Sequence, residues 1–193
     1  MESLCVYCGA SEGTDPAYAE AARAFGAELA ARDVTVVYGG GRVGMMGAVA
    51  DAALDAGGEV VGVMPEALAE AEQAHEELTE LHVVDSMHER KRTMAERAEG
   101  FVALPGGFGT LEEIVEVLTW AQLGIHDHPC GFLNVEGYYD DLLSFFDHQR
   151  SEGFVSERHR GMVTVADDPD SLLERFEAYR PPRVRAEIDP DES

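Results

Sequence analysis

The chain has 193 residues, and its 38 acidic and 14 basic residues give a formal net charge of −24. Such a negative surface repels nucleic acids and anionic membranes, and no apolar run approaches the ~20 residues that span a bilayer. We therefore expect neither nucleic-acid binding nor membrane insertion, and the length fits a single domain with a full core.

The basic residues are thirteen arginines and a single lysine, Lys91. Scarce lysine with abundant Asp and Glu predicts a protein adapted to high salt, where screening suppresses repulsion between like charges. An ordinary acidic cytosolic protein is the alternative. The N-terminus has no basic segment of the kind that begins a signal peptide, so we expect a cytoplasmic location.

Short apolar runs alternate along the chain with longer amphipathic stretches. Strands are predicted at 4–8, 34–38, 60–64, 81–84, 101–104, 131–134 and 162–165. Helices are predicted between them at 16–32, 44–56, 87–98, 110–123, 138–152 and 169–179. This alternation indicates an α/β fold, with a parallel sheet of about seven strands, right-handed crossovers and helices on both faces.

Two segments fall outside this alternation. Residues 66–80, rich in Glu and Ala, are interpreted as an extra helical insert or a mobile flap. Residues 181–193 are acidic and contain proline, which predicts a disordered tail. The sequence therefore predicts one domain over residues 1–180 followed by the tail.

Glycine or proline follows four of the predicted strands, in Gly9-Ala10-Ser11, Gly39-Gly40-Gly41, Pro65 and Pro105-Gly106-Gly107. In open parallel sheets, ligands bind outside the carboxyl ends of the strands, near a switch in strand order. We therefore expect these loops to open on one edge of the sheet and to form one site.

The three cysteines include a Cys5-x-x-Cys8 pair at the first predicted strand. A redox pair would need a helix N-terminus to lower its thiol pKa, and a structural zinc site would need a second cysteine pair. Small buried residues at a strand end are the preferred interpretation, and no metal or cofactor is expected.

The first glycine-rich loop, Gly39-Gly40-Gly41-x-x-Gly44, matches the spacing of a dinucleotide-binding turn. That fingerprint belongs on a first strand and is followed by an acid at the end of the next strand, whereas here the loop follows the second strand. A close approach of backbone to part of a ligand is favoured over a nicotinamide site, and a simple tight turn is the remaining alternative.

The second glycine-rich loop leads from Pro105 into a helix that carries Glu113. Backbone N–H groups at such a helix start bind anions such as phosphate. Thr110-x-x-Glu113 also fits a capping box, but three glycines before it exceed what a cap needs. Glu113 is therefore interpreted as a catalytic carboxylate beside a phosphate cradle.

The predicted helix from residue 87 begins with Ser86-x-x-Glu89, for which a capping role is preferred. Arg90 and Lys91 follow in its first turns, where the helix dipole disfavours cations. Their position calls for an anionic partner, either Glu113 or a phosphate, with ordinary surface ion pairing as the alternative.

The helix predicted at 110–123 has two apolar stripes. Leu111, Ile114, Val115 and Leu118 form the stripe assigned to the sheet. The opposite stripe consists of Glu113, Glu116, Val117, Trp120 and Leu123. An exposed Trp-Val-Leu face on so acidic a protein predicts burial against another helix or a second subunit, and hence a homodimer through the helix that carries Trp120.

These motifs together resemble the LONELY GUY (LOG) family of phosphoribohydrolases. The resemblance rests on Met87-His88-Glu89-Arg90-Lys91, on Pro105-Gly106-Gly107-x-Gly109-Thr110-x-x-Glu113 and on residues 8–11, 39–47 and 119–126. It covers roughly residues 3–180, with the motifs in the same order. It implies a Rossmann-like homodimer that cleaves AMP or cytokinin nucleoside 5′-monophosphates into free base and ribose 5-phosphate.

The resemblance also implies roles for individual residues. Arg90 and Glu113 match the catalytic pair, and no metal or cofactor is implied. Candidate substrate-binding residues are Gly39, Gly40, Gly41, Lys91, Gly106, Gly107, Phe108, Gly109, Thr110, Glu112, Glu116 and Thr119. A non-catalytic carrier of a nucleotide or of molybdenum cofactor is the alternative function. Members of the family are often labelled lysine decarboxylases, but a lysine next to Arg90 in a phosphate-binding context does not suit a pyridoxal Schiff base.

Overall fold

The computed structural model describes residues 1–68 and 73–182. Its strands are β1 Ser3–Tyr7, β2 Thr35–Tyr38, β3 Val60–Pro65, β4 Glu80–Val84, β5 Phe101–Ala103, β6 Cys130–Leu133 and β7 Val163–Ala166. Its α-helices are α1 Pro16–Ala31, α2 Gly44–Asp55, α3 Met87–Glu96, α4 Phe108–Gln122, α5 Asp140–Ser151, α6 Glu157–Arg160 and α7 Pro169–Ala178. Single 3₁₀ turns lie at Glu66–Leu68 and Val135–Gly137.

The seven strands form one parallel sheet in the order β4-β3-β2-β1-β5-β6-β7. The chain builds outward from β1 to β4 and then returns to the centre to place β5 on the other side of β1. The order therefore reverses between β1 and β5, and loops from the two strands separate at their carboxyl ends. In such sheets this reversal is the usual place for a ligand.

Side chains of the sheet alternate between two cores, as the period of an extended strand requires. Leu4 and Val6 face the first core with α1, α2 and α7, whereas Cys5 and Tyr7 face the second core with α3, α4 and α5. The central strands are buried on both faces, which explains why their sequences are continuous apolar runs.

Local signals in the sequence fix the helix starts. Asp15 caps α1 and Asp168 caps α7, each by accepting a backbone N–H, and a proline follows each cap. Proline suits the first helical position because its missing N–H would have no partner there. Ser86 caps α3 by accepting the N–H of Glu89, as predicted. The Glu89 carboxylate accepts the N–H of Asp85, one residue before the N–H that a capping box uses.

The predicted fold class is confirmed, and all seven predicted strands form. The short helix α6 was not predicted. In the proposed insert, residues 66–68 form a single 3₁₀ turn, and residues 73–79 lead into β4. Ala74 forms an isolated antiparallel bridge with Gly41 in the loop after β2. The remainder of that insert, residues 69–72, and the predicted tail beyond residue 182 lie outside the described residues.

In residues 1–68 and 73–182, none of the helices has the length and apolar character needed to cross a membrane.

Candidate active site

A cavity of about 390 Å³ opens at the reversal between β1 and β5. Its lining comes from the ends of three neighbouring strands and from the helices α3 and α4. Residues 8–11 follow β1, Gly39 follows β2, and Gly107, Gly109 and Thr110 follow β5. The prediction that these loops form one site agrees with this geometry, although Leu68 and not Pro65 lines the cavity after β3.

The PGG loop, residues 105–107, leads directly into α4. The helix begins at Phe108 with Gly107 as its N-cap, and no side chain caps its first amides. The prediction that Thr110 is the N-cap is therefore wrong, because the helix starts two residues earlier than the sequence indicated. Glu113 consequently lies beyond the position from which a capping-box carboxylate reaches back.

Close packing explains one of the glycines in this loop. A Cβ atom on Gly106 would lie 2.2 Å from Oγ1 of Thr110 and 2.8 Å from the backbone N of Gly9. Thr110 itself is buried. Gly107 and Gly109, by contrast, would place a Cβ in open space, and both residues line the cavity.

Arg90 is a buried arginine, 5% exposed, that lies between three elements. Its Nε donates to the carbonyl oxygen of Val63 at 3.1 Å, and Nη2 donates to that of Gly39 at 2.9 Å. A Cβ on Gly39 would lie 2.0 Å from Nη2, so this glycine is needed for the guanidinium to reach the ends of β2 and β3. The result is a fixed positive charge in the cavity wall.

Glu113 is half-buried and lines the same cavity as Arg90. Burial first, and the charge of Glu113 second, raise the pKa of the Cys8 thiol, which lies across the cavity. Cys5 and Cys8 are free and buried, as predicted, and with raised pKa values they are neutral near pH 7. A neutral thiol is a poor nucleophile, so the reactive groups in this wall are the carboxylate and the guanidinium.

Lys91 does not line the cavity. Its Nζ donates to carboxylate oxygens of Glu112 at 2.5 Å and Glu116 at 3.0 Å. Burial would lower the pKa of Lys91, but these hydrogen bonds outweigh it and raise that pKa. The lysine therefore connects α3 to α4 as a charged group, whereas a Schiff-base lysine needs a lowered pKa.

The structure separates the predicted substrate-binding residues into two groups. Gly39, Gly107, Gly109, Thr110 and Glu112 line the cavity together with Arg90 and Glu113. The others lie outside the lining, and they are Gly40, Gly41, Lys91, Gly106, Phe108, Glu116 and Thr119.

The structure defines the local surroundings of four members of this outer group. Phe108 is 94% exposed, so the described residues of its own chain leave nearly all of this side chain open to solvent. Thr119 Oγ1 donates to the Val115 carbonyl within the same helix. Gly41 pairs with Ala74, while the adjacent Gly40 accepts the backbone N–H of His75.

Sequence reasoning missed the apolar part of the lining. Met46 and Met94 lie in the cavity wall, as does Met87, which is 42% exposed. In the sequence, these methionines occupy what look like ordinary core positions of their helices. The signal that could have identified them as cavity residues is that three methionines lie near the two glycine-rich motifs. Such a wall suits the flat face of a purine base.

The two stripes assigned to α4 need correction. The line that faces the core runs through Thr110, Ile114, Val117 and Ala121, so Val117 is buried and was assigned to the wrong stripe. Val115, assigned to the sheet, is 41% exposed. Trp120 is half-buried against the second core of its own chain, whereas Leu123 is 65% exposed.

Comparison with known proteins gives two kinds of likeness. Residues 46–176 match a family model described as "Possible lysine decarboxylase". The chain is 52% identical over 178 residues to the probable cytokinin riboside 5′-monophosphate phosphoribohydrolase LOGL9 of Oryza sativa subsp. japonica, with 92% of this chain and 78% of that relative covered. It is 47% identical over 181 residues to LOG1 of Arabidopsis thaliana, a cytokinin riboside 5′-monophosphate phosphoribohydrolase, with 94% and 85% covered.

Solved structures extend the likeness at the level of fold. The molybdenum cofactor carrier protein of Chlamydomonas reinhardtii is 20% identical, with a TM-score of 0.67 over 92% of this chain and 98% of that one. The molybdenum cofactor binding protein of Rippkaea orientalis is 21% identical, with a TM-score of 0.69 over 91% and 95%. At these identities the likeness establishes a shared Rossmann-like architecture.

Proposed function

The chain belongs to the LONELY GUY (LOG) family of phosphoribohydrolases, and from this premise we propose that it hydrolyses the N-glycosidic bond of a purine nucleoside 5′-monophosphate. The products are the free base and ribose 5-phosphate, and AMP and cytokinin riboside monophosphates are the substrate class. The observation that carries the proposal is that Arg90 and Glu113 line the same cavity as the open start of α4.

The phosphate binds at the start of α4, on the N–H groups of Gly107, Gly109 and Thr110. Two facts support this assignment. The first amides of the helix receive no side-chain cap, and the space beside Gly107 and Gly109 is open. The helix dipole adds favourable interaction with an anion at this end.

Glu113 is the catalytic carboxylate. Departure of the base leaves positive charge on C1′ and the ring oxygen of the ribose, and a carboxylate near C1′ stabilises that charge or activates the attacking water. Glu113 is one turn into α4, so a phosphate at the helix start would leave the ribose beside it. The phosphate and the ribose then each have a partner on α4.

Arg90 orients the carboxylate and contacts the base or the ribose. Its hydrogen bonds to the carbonyls of Val63 and Gly39 use the Nε and Nη2 edges of the guanidinium and prevent the group from turning. A preorganised cation of this kind loses little entropy when substrate binds.

The other activities are less well supported. A lysine decarboxylase would need a reactive lysine, and the single lysine of this chain is an ion-pair residue with a raised pKa. A non-catalytic carrier is not favoured, because the relatives at 47–52% identity are named phosphoribohydrolases and a carrier has no need of a carboxylate beside the sugar.

The protein acts as a homodimer through α4. Val115 and Leu123 on this helix and Phe145 on α5 are more than 40% exposed, and Phe154, after α5, is 83% exposed. Exposed apolar side chains of this size on a chain with a net charge of −24 support burial by a second copy. Sedimentation in high salt should give twice the mass of one chain, and Leu123→Asp should shift it toward the monomer. A monomeric parent would refute this assignment.

The cellular setting follows from the charge. We place the protein in the cytoplasm of an organism that accumulates salt, because thirteen arginines, one lysine and 38 acidic residues suit a medium that screens repulsion.

The direct test of the activity is incubation with AMP and, separately, with isopentenyladenosine monophosphate, followed by chromatography for free base. Adenosine, which lacks the phosphate, is the matched control. Release of base from either monophosphate and not from adenosine is the expected result. Base release from neither monophosphate would refute the proposed function.

A further inference from the structure

Two consecutive tyrosines hold the chain where β5 leads into the PGG loop. The Tyr139 hydroxyl donates to the carbonyl oxygen of Leu104 at 2.6 Å, and the Tyr138 hydroxyl donates to that of Gly106, also at 2.6 Å. Between them, the backbone N–H of Gly9 donates to the carbonyl of Pro105 at 3.1 Å. Three successive carbonyls of the loop are therefore fixed from outside.

Fixing a carbonyl also fixes the amide of the next residue. In a planar trans peptide the C=O of one residue and the N–H of the next point in opposite directions. The hydrogen bond from Tyr138 to Gly106 therefore directs the N–H of Gly107 away from the tyrosine. The hydrogen bond from Tyr139 to Leu104 orients no N–H in this way, because the residue after Leu104 is Pro105, which has no N–H.

The cavities on the two sides of Gly107 agree with this direction. Gly107 lines the site cavity, and it also lines a neighbouring cavity whose wall includes Tyr138. Tyr138 is absent from the lining of the site cavity. The tyrosine thus lies on one side of the Gly106–Gly107 peptide, and the site lies on the other.

The carbonyl of Gly107 accepts the N–H of Leu111 at the start of α4, but no side chain packs beside its Cα. A Cβ on this residue would meet no atom within 4 Å, and its backbone is in the extended region. Gly106, in contrast, is packed against Thr110 and Gly9. The peptide between these two residues carries the N–H of Gly107, and the Tyr138 hydroxyl bonds the carbonyl of that same peptide.

The tyrosine itself is rigidly placed. Its ring makes edge contacts with Tyr18 at 5.4 Å and Tyr139 at 4.9 Å between ring centroids. The preceding turn contains Glu136 at φ 49° and Gly137 at φ 69°. A left-handed backbone is unfavourable for a non-glycine residue and persists where surrounding structure fixes it.

That surrounding structure centres on Asn134, a buried side chain with both ends of its amide bonded. Its Oδ1 accepts the N–H of Tyr139 at 2.7 Å, and its Nδ2 donates to Asp140 at 2.8 Å. A strained turn held in this way places the Tyr138 hydroxyl before any substrate arrives.

We propose that Tyr138 is a positioning residue for phosphate binding, which acts by holding the Gly107 N–H toward the 5′-phosphate of the nucleotide. This inference rests on the proposed function, since it assigns the phosphate to that amide. Tyr138 does not touch the substrate; it acts through the peptide between Gly106 and Gly107.

The test compares Tyr138→Phe with Tyr139→Phe, because both remove one hydroxyl that donates to a carbonyl of the same loop. In Tyr138→Phe, the KM for AMP and the inhibition constant of ribose 5-phosphate should rise about tenfold, as expected for weakening one hydrogen bond to a charged group. The kcat should stay within about twofold, and inhibition by adenosine should not change, since adenosine has no phosphate.

The control should behave in the opposite way. Tyr139 is buried, so Tyr139→Phe leaves the carbonyl of Leu104 without its donor, and the melting temperature should fall by about 3–8 °C with the KM unchanged. The Tyr138 ring is 42% exposed, and water can replace its hydroxyl at Gly106, so Tyr138→Phe should melt with the parent.

The outcomes separate this inference from the proposed function. A rise in KM and in the ribose 5-phosphate constant, with adenosine unaffected, supports it. Suppose that the parent hydrolyses AMP. If Tyr138→Phe then has the KM and the ribose 5-phosphate inhibition constant of the parent, or binds adenosine and ribose 5-phosphate more weakly to the same degree, the positioning role is refuted and the activity stands. If the parent neither binds nor hydrolyses AMP, the proposed function fails and this inference fails with it.

Discussion

Glu113→Gln is the substitution that separates substrate binding from chemistry. It keeps the size of the side chain and its capacity to accept a hydrogen bond, and it removes the negative charge. The phosphate is assigned to backbone N–H groups at the start of α4, which the substitution leaves unaltered. AMP should therefore bind with a Kd within about threefold of the parent value, which is under 1 kcal/mol.

The loss of turnover can be sized from the position of the carboxylate. Two unit charges about 4 Å apart interact by about 4 kcal/mol at an effective dielectric constant of about 20. Glu113 is half-buried in the wall of an open cavity, so water reduces this figure. A loss of about 2.7–4 kcal/mol of transition-state stabilisation remains, which lowers kcat by about 10²–10³-fold.

The assay measures release of free base from AMP in single-turnover and steady-state experiments, alongside AMP binding by calorimetry. Glu174→Gln makes the same chemical change at an exposed position on α7, which packs on the opposite face of the sheet from α4, and serves as the control. A kcat for Glu113→Gln equal to that of the parent would refute the mechanism, because the carboxylate would then have no part in the transition state. Loss of AMP binding together with turnover would refute the assignment of the phosphate to backbone amides.

Three further results are expected. Gly106→Ala places a methyl group against Thr110, which should lower the free energy of unfolding by about 2 kcal/mol and the melting temperature by about 6 °C. Gly107→Ala, whose Cβ meets open space, should melt at the temperature of the parent. Equal melting temperatures for the two variants would contradict this reasoning. Lys91 has a folded-state pKa above its usual 10.5, so its ion pairs contribute stability below that pH and lose it as pH rises through the folded-state pKa. The stability difference between the parent and Lys91→Met should accordingly shrink above about pH 10.5, and a difference that grows there would be the wrong sign. The melting temperature should rise between about 0.1 and 3 M salt, and a curve indifferent to salt would remove the halophilic interpretation.

The strand ends illustrate what period and composition can predict. Apolar runs of four or five residues, four of them followed by glycine or proline, indicated the strands of a parallel sheet, and all seven form. Parallel strands share one carboxyl edge, so the loops after β1, β2 and β5 converge on one cavity without any further information.

Helix α4 illustrates the limit of the same reasoning. Its existence follows from the sequence, but the start at Phe108 and the core line through Thr110, Ile114, Val117 and Ala121 do not. Apolar residues surround this helix on more than one side, so the sequence permits several rotations about its axis. The packing of Ile114 and Val117 into the second core selects one of them.

The site shows the same division. The sequence by itself determined the parallel sheet, the glycine-rich helix start and the residue types of the site, because each depends on local periodicity or on the backbone freedom of glycine. Only the tertiary structure decided that Arg90 reaches the carbonyls of Val63 and Gly39, that Lys91 is held by Glu112 and Glu116, and that Tyr138 supports the PGG loop. These contacts join residues 21 to 51 positions apart. The order of the strands and the packing of helices across the sheet bring such residues together, and no local pattern encodes either one.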